Sequence, residues 1–229
     1  MIKIALFIIS ISIIFSQTPD ERGYIVKVGD KLPEFIMDFP DGSQLNSQDL
    51  KGKVTMIQFT ASWCHVCREE MPHIEKEIWK VYKKVDLNVI GIDRDESAEI
   101  IKKFAKEVKV TYPIALDIGA DIFALFADRN SGITRNIIVD PNGKIAFLTR
   151  LFDPEEFYEM KNVIHSLLVN QLLEEKQMLA AQKQILKELK NKSSIDKSSS
   201  INKIEKSVLL LESKLNLKER RLSFAQKLL

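Results

Sequence analysis

A chain of 229 residues, 45% of them hydrophobic, has room for one ordinary domain with appendages or for two small ones, and enough apolar surface for a packed core. A net charge of +2 points to no particular partner. The charge is uneven, with 13 Lys/Arg against 7 Asp/Glu in residues 170–229 and 21 against 25 before them. Because the basic residues of the tail interleave with acids at helical spacing, they read as a solvated helical face, with docking on an anionic membrane surface as an alternative, and no nucleic-acid partner is expected.

The N-terminus reads Met1-Ile2-Lys3, an apolar run from Ile4 to Phe15, then Ser16-Gln17-Thr18-Pro19-Asp20-Glu21. One positive charge, a short hydrophobic stretch and a small residue at its end are the parts of a secretory signal peptide over residues 1–16. That predicts export across the inner membrane to the periplasm, with an uncleaved membrane anchor as the alternative. The run falls short of the roughly 20 apolar residues that a spanning helix needs, which favours cleavage near Ser16.

Phe35 to Phe39, a Pro40-Asp41-Gly42 turn and Ser43-Gln44-Leu45 predict a small β-hairpin. Val54 to Phe59, nearly without charge, predicts a buried central strand. Helical spacing follows from about His65 to Lys84, through Met71, Ile74, Ile78 and Val81. Leu87 to Ile92 predicts a second buried strand, and Ser97 to Val108 a helix. A short strand over 112–116, a short helix over 120–126, a hairpin turning at Pro141-Asn142-Gly143 and a helix from Pro154 complete the pattern. Alternating strands and helices feed a parallel sheet, to which the last hairpin adds an antiparallel edge. The fold class is therefore α/β, a mixed sheet flanked by helices, over residues 24–168.

Residues 169–229 differ in kind. No glycine follows Gly143, and Leu, Lys, Glu and Gln dominate. Lys192 to Ser200 reads as a polar loop. Beyond it Ile201, Ile204, Val208, Leu211, Leu215, Lys218, Leu222, Ala225 and Leu229 alternate steps of three and four, the stripe of a coiled coil. Leu168, Leu172, Leu179, Leu186 and Leu189 form a weaker stripe before the loop. Two arrangements satisfy this pattern: a hairpin folded back on itself, or residues 201–229 pairing with a second subunit or another partner, in which case the preceding domain is a weakly active scaffold and the coiled coil mediates oligomerisation or partner recruitment.

The two cysteines are Cys64 and Cys67, three positions apart at the end of the predicted central strand. A structural disulfide framework spreads its cysteines along the chain, so a local pair in an exported protein favours redox chemistry. A thiolate is the attacking species in disulfide exchange, and the first turn of a helix lowers a thiol's pKa through unpaired N–H groups. A second thiol three residues on can close a ring and resolve a mixed disulfide from within. His65 between them favours the thiolate if protonated. Zinc needs two further ligands, and His65, His73 and His165 form no such pair. No metal and no cofactor beyond the Cys64–Cys67 disulfide is expected.

With strand, Trp63-Cys64-His65-Val66-Cys67, helix and later hairpin in place, the chain resembles the thioredoxin superfamily, and within it the exported TlpA/ResA-type thiol–disulfide oxidoreductases. The resemblance rests on Val28-Gly29-Asp30-Lys31-Leu32-Pro33-Glu34-Phe35, on Phe59 to Pro72 around the cysteines, and on Gly132 to Gly143. It implies Cys64 as nucleophile, Cys67 as resolving thiol, Trp63 flanking the exposed sulfur, Glu70 as a glutamate that tunes cysteine acidity, and Pro72 as the kink of the active-site helix. It also implies Ile133 and Thr134 at the substrate-binding backbone, and protein thiols or disulfides as partners together with an unidentified redox donor. Reductase duty is the implied direction.

Two positions depart from the family pattern. Thr134 stands where members commonly carry a cis proline. A cis bond without proline costs about 2.5–4 kcal/mol, so the Ile133–Thr134 bond is expected to be trans. Gln58 stands where thioredoxins bury a carboxylate, which leaves Glu70 or water to move protons. Peroxiredoxins share the Gly-Asp-x-x-Pro-x-Phe opening, but their threonine three residues before the nucleophile and their upstream proline are replaced by Ala61 and Ile57. Peroxidase activity is not expected.

Overall fold

The computed structural model describes residues 22–192 and 198–229. The signal-peptide region and the centre of the expected loop lie outside them. Seven strands form one mixed sheet: β1 (Ile36–Asp38), β2 (Gln44–Asn46), β3 (Val54–Thr60), β4 (Leu87–Arg94), β5 (Ile114–Asp117), β6 (Arg135–Val139) and β7 (Ile145–Arg150). Their spatial order is β2-β1-β5-β4-β3-β6-β7. β3, β4 and β5 run parallel, and β1–β2 and β6–β7 add antiparallel edges. Every residue of β3 is buried, as its uncharged composition requires of a central strand.

Alternate residues of β3 face opposite layers. Gln58 and Thr60 face the helix α1 (His65–His73), while Phe59 packs edge-on against Phe123 at 5.2 Å between ring centroids, on the other side of the sheet. That second layer is not a full helix: the short helix expected over 120–126 is only a 3₁₀ turn, Phe123–Leu125. Asp117 explains the turn, because its carboxylate takes the N–H groups of Ile122 and Phe123 at 2.9 and 2.8 Å, and Ala120 before them has a positive φ of 56°.

The active-site helix carries an irregularity that its spacing did not predict. After Pro72 it widens into a π-helical stretch, Ile74–Trp79, and ends in one α-turn, α2 (Lys80–Tyr82). Proline leaves the carbonyl four residues earlier without its usual donor, and a π stretch inserts residues relative to the 3.6 period. The buried face runs Met71, Ile74, Ile78 and Tyr82, with the expected Val81 half-buried against the core beside it. Tyr82 Oη meets His165 Nδ1 at 3.2 Å, which joins α2 to the helix that follows β7. The other flanking helix, α3 (Ala98–Glu107), connects β4 to β5.

The C-terminal region folds back on itself. α4 (Pro154–Lys192) is one continuous helix, so the boundary drawn at 168/169 falls in mid-helix, and α5 (Ser198–Gln226) returns along it. α4 reaches Lys192 and α5 begins at Ser198, both within the span 192–200 expected as loop. Three ion pairs set the antiparallel register: Lys176–Glu219, Lys183–Glu212 and Lys190–Glu205, at 2.6, 2.6 and 2.7 Å. Each step of seven along α4 matches a step of seven back along α5. In that register Leu172, Leu179 and Leu186 fall opposite Leu222, Leu215 and Val208, all buried. The polar member of the stripe, Lys218, meets Glu175 Oε1 at 2.9 Å and Asp86 Oδ2 at 3.0 Å. A polar residue at such a position fixes register at some cost in stability. Arg221 Nη1 donates to Lys84 O at 2.8 Å and Gln171 Nε2 to Gly52 O at 3.0 Å, tying the hairpin to the base of the sheet. Among the described residues no helix is long and apolar enough to cross a membrane.

Candidate active site

β3 ends at Thr60, and four residues later Cys64 caps the N-terminus of α1, its sulfur accepting the Cys67 N–H at 3.1 Å. The pair is joined as a disulfide with the Cα atoms 5.3 Å apart. Cys64 is 7% exposed and Cys67 0%, so only the first cysteine has any surface open to solvent. Helix-end N–H groups aimed at Cys64 favour negative charge there once the bond is reduced.

The loop leading to the cysteines is pinned by a residue that the sequence reading missed. Glu96, buried just after β4, accepts the Ser62 N–H with one carboxylate oxygen and the Ser62 hydroxyl, at 2.6 Å, with the other. Arg68 Nε donates to the Ser62 carbonyl from the other side. Asp95-Glu96-Ser97 reads in sequence as an ordinary acidic helix start, and nothing in it signals a reach of 34 residues.

Trp63 is 60% exposed beside Cys64, with the Arg94 guanidinium 5.4 Å from its ring. Arg94 also donates to the carbonyls of Arg129 and Ser131, at 3.2 and 3.1 Å. His65 is exposed and makes no hydrogen bond or ion pair among the described residues. The side chain of Ile133 is buried, so only its backbone can face a substrate. Thr134 is brought to the sulfurs: its Oγ1 lies 3.2 Å from Cys64 Sγ and 3.4 Å from Cys67 Sγ. The Ile133–Thr134 bond is trans.

Glu70 lies one turn beyond Cys67 on α1, fully buried. Its Oε2 accepts Gln58 Nε2 at 2.9 Å and its Oε1 accepts Asn136 Nδ2 at 2.6 Å. Gln58 and Asn136 are cross-strand partners on β3 and β6, so the register places both donors under the helix. Gln58 is held in turn by Tyr112, whose hydroxyl donates to Gln58 Oε1 at 2.8 Å. Burial pushes the Glu70 carboxyl up to about 7, against the opposing pull of the Asn136 and Gln58 hydrogen bonds. Gln58, an apparent loss of a buried carboxylate, is thus the residue that holds one.

A second buried acid lies nearby. Asp93 on β4 stands opposite Thr60 in the register, is fully buried, and as a neutral acid donates a side-chain hydrogen bond to Glu96. Burial first, then the charge of Glu96, pushes it up to about 9. Its folded-state pKa exceeds the unfolded value, so stability is lost as pH rises from about 4 towards 9. Asp93→Asn lacks that loss. It should stabilise the protein at pH 8 by about 1–3 kcal/mol, with the gain shrinking towards pH 4. Melting temperatures of both proteins across that range check it, and a gain independent of pH would contradict it.

The model of the AhpC/TSA family matches residues 28–148, just over half of the chain. The chain belongs to the AhpC/TSA family. Within this AhpC/TSA protein's relatives, the thiol-disulfide oxidoreductase ResA of Bacillus cereus is 28% identical over 120 residues, covering 52% of this chain and 68% of that one. A solution structure from Bacteroides thetaiotaomicron, provisionally named a protein disulfide isomerase, is 53% identical with a TM-score of 0.62, covering 64% of this chain and 92% of that one. The thioredoxin domain of a Bacteroides vulgatus thiol-disulfide oxidoreductase is 25% identical with a TM-score of 0.52, covering 60% and 99%. The resemblance drawn from the cysteine block therefore holds for fold and family, and the AhpC/TSA chain is a thioredoxin-like thiol–disulfide oxidoreductase.

Proposed function

We propose that this protein is an extracytoplasmic reductase of protein disulfides. The observation that carries the reading is the asymmetric pair at the head of α1, with Cys64 reachable and Cys67 sealed beneath it. Cys64 attacks a substrate disulfide, Cys67 resolves the mixed disulfide, and Glu70 moves the proton. Trp63 and the backbone at Ile133 and Thr134 form the docking surface, while His65, exposed as it is, acts on Cys64 only through its charge. The redox-active disulfide is the sole prosthetic element, recharged by a separate thiol donor. Export rests on the sequence from Met1 to Glu21.

Direction is tested by the potential of the Cys64–Cys67 couple, measured against defined thiol–disulfide buffers. A value below about −200 mV, on thioredoxin's side, agrees with reductase duty. One near about −120 mV would reverse the assignment to an oxidant.

A second reading concerns the tail. The main stripe of α5 packs on α4, but Leu210, Leu217 and Phe224, seven apart, are exposed on its solvent side. In this reading that second stripe joins two copies of the chain. Sedimentation of the full chain and of Leu217→Glu/Phe224→Glu decides it: a dimer lost in the variant supports the reading, and a monomeric parent removes it.

A further inference from the structure

The segment before β6 places a hydroxyl against both sulfurs. Thr134 Oγ1 is 3.2 Å from Cys64 Sγ and 3.4 Å from Cys67 Sγ, and Thr134 is 3% exposed, so little water competes for that hydroxyl. A disulfide sulfur is a weak acceptor, but a thiolate is a strong one, and hydrogen bonds to ionised groups are roughly twice as strong as neutral ones. A proline in this position would offer no side-chain donor at all.

The hydroxyl is held in place by the backbone on which it sits. The Thr134 carbonyl accepts the Leu151 N–H at 3.2 Å and Arg150 Nη1 at 3.3 Å. The same guanidinium occupies the space that a Cβ on Gly132 would take, so glycine two residues earlier is what lets Arg150 lie there. Thr134 is β-branched, which restricts its χ1 and hence the swing of its hydroxyl.

We propose that Thr134 is a catalytic residue of the exchange, its O–H donating to the Cys64 thiolate as a second donor beside the Cys67 N–H. This rests on the reading of Cys64 as the attacking sulfur and deepens it: Thr134 moves from docking surface to thiolate stabiliser. In the first step a lone pair of the Cys64 thiolate forms a bond to one substrate sulfur. The substrate S–S bond breaks, and its electron pair leaves on the other sulfur, which takes a proton from solvent. In the second, Glu70 takes the proton of the Cys67 thiol, the Cys67 thiolate attacks Cys64 Sγ, the mixed disulfide breaks and the substrate thiolate departs to take up that proton. Two electrons pass from the dithiol to the substrate, and Thr134 keeps its proton throughout. Because a threonine hydroxyl does not titrate in this range, its effect is a displacement of the Cys64 titration and not an additional inflection. The charged groups around the pair, His65, Arg68, Glu70, Glu96 and Arg150, stay in place in the variants below.

The test is the pH dependence of iodoacetamide alkylation at Cys64 in the reduced full-length protein, read by mass spectrometry. Thr134→Val, close to isosteric, should raise the apparent Cys64 pKa by about one unit or more, which slows alkylation about tenfold below that pKa. Thr134→Ser keeps the hydroxyl and should restore the parent value. Thr134→Ala provides the same reading if the valine variant melts abnormally. A parent-like pKa in natively folded Thr134→Val or Thr134→Ala overturns the proposal, and so does a shift in Thr134→Ser as large as in Thr134→Val. Failure here is distinct from failure of the functional reading, which would show as insulin reduction surviving in Cys64→Ser.

Discussion

Cys64→Ser should reduce dithiothreitol-coupled insulin reduction to the background rate of dithiothreitol alone, while Cys67→Ser should still attack substrate and then stop. The difference follows from burial. Cys64 is the cysteine with surface open to solvent, and Cys67, without exposed surface, can meet only a partner already bonded to Cys64. Exchange through a covalent intermediate needs both events, and loss of the second leaves the intermediate standing. Reduced Cys67→Ser mixed with insulin, without excess small thiol, should therefore accumulate one mixed disulfide per chain at Cys64. Mass spectrometry of the non-reduced adduct locates it. Turnover by Cys64→Ser above background would contradict the assignment, as would an adduct on neither variant.

What made this site legible in the sequence was its locality. Strand, cysteine pair and helix start lie within about a dozen consecutive residues, and the uncharged run of β3 and the helical spacing of Met71, Ile74 and Ile78 each follow a single periodicity. The surroundings of Glu70 were not legible, because Gln58, Tyr112 and Asn136 meet only when β3, the approach to β5, and β6 are aligned. Gln58 read alone is a missing carboxylate, and its function as a clamp depends on a register that spacing does not reveal. The same holds for Glu96 and Arg150, whose partners lie on other elements. The π-helical stretch was not legible for a different reason: a change of helical period after Pro72 leaves no apolar signature of its own. In the tail the heptads were plain but not their partner. The clue to the hairpin was present, since Lys176, Lys183 and Lys190 step forward by seven as Glu219, Glu212 and Glu205 step back.

The buried clamp on Glu70 has a consequence for pH. Burial raises this carboxyl from 4.5 to about 7, with the hydrogen bonds from Asn136 and Gln58 opposing. In the unfolded chain it ionises near 4.5, so between that pH and about 7 the folded protein binds the extra proton. Its contribution to stability is full below about 4.5 and is lost as pH rises through about 7. Glu70→Gln has no such loss and should gain stability relative to the parent as pH rises, by up to a few kcal/mol, of order 1–3, at pH 8. Turning the Asn136 side chain over offers its Oδ1 to the new N–H, and Thr149 Oγ1, which accepts from Asn136 Nδ2 at 2.8 Å, then donates to that oxygen instead. Activity should move the other way. A carboxyl titrating near 7, one turn from Cys67, can give a proton to a departing thiolate and take it back, the condition under which general acid–base catalysis is most effective. Glu70→Gln should slow insulin reduction at pH 7 by about tenfold to a hundredfold and remove the inflection near 7 from the pH–rate profile. A more stable and slower enzyme with a flattened profile would separate proton transfer from packing, because a packing defect would lower stability and leave the inflection in place.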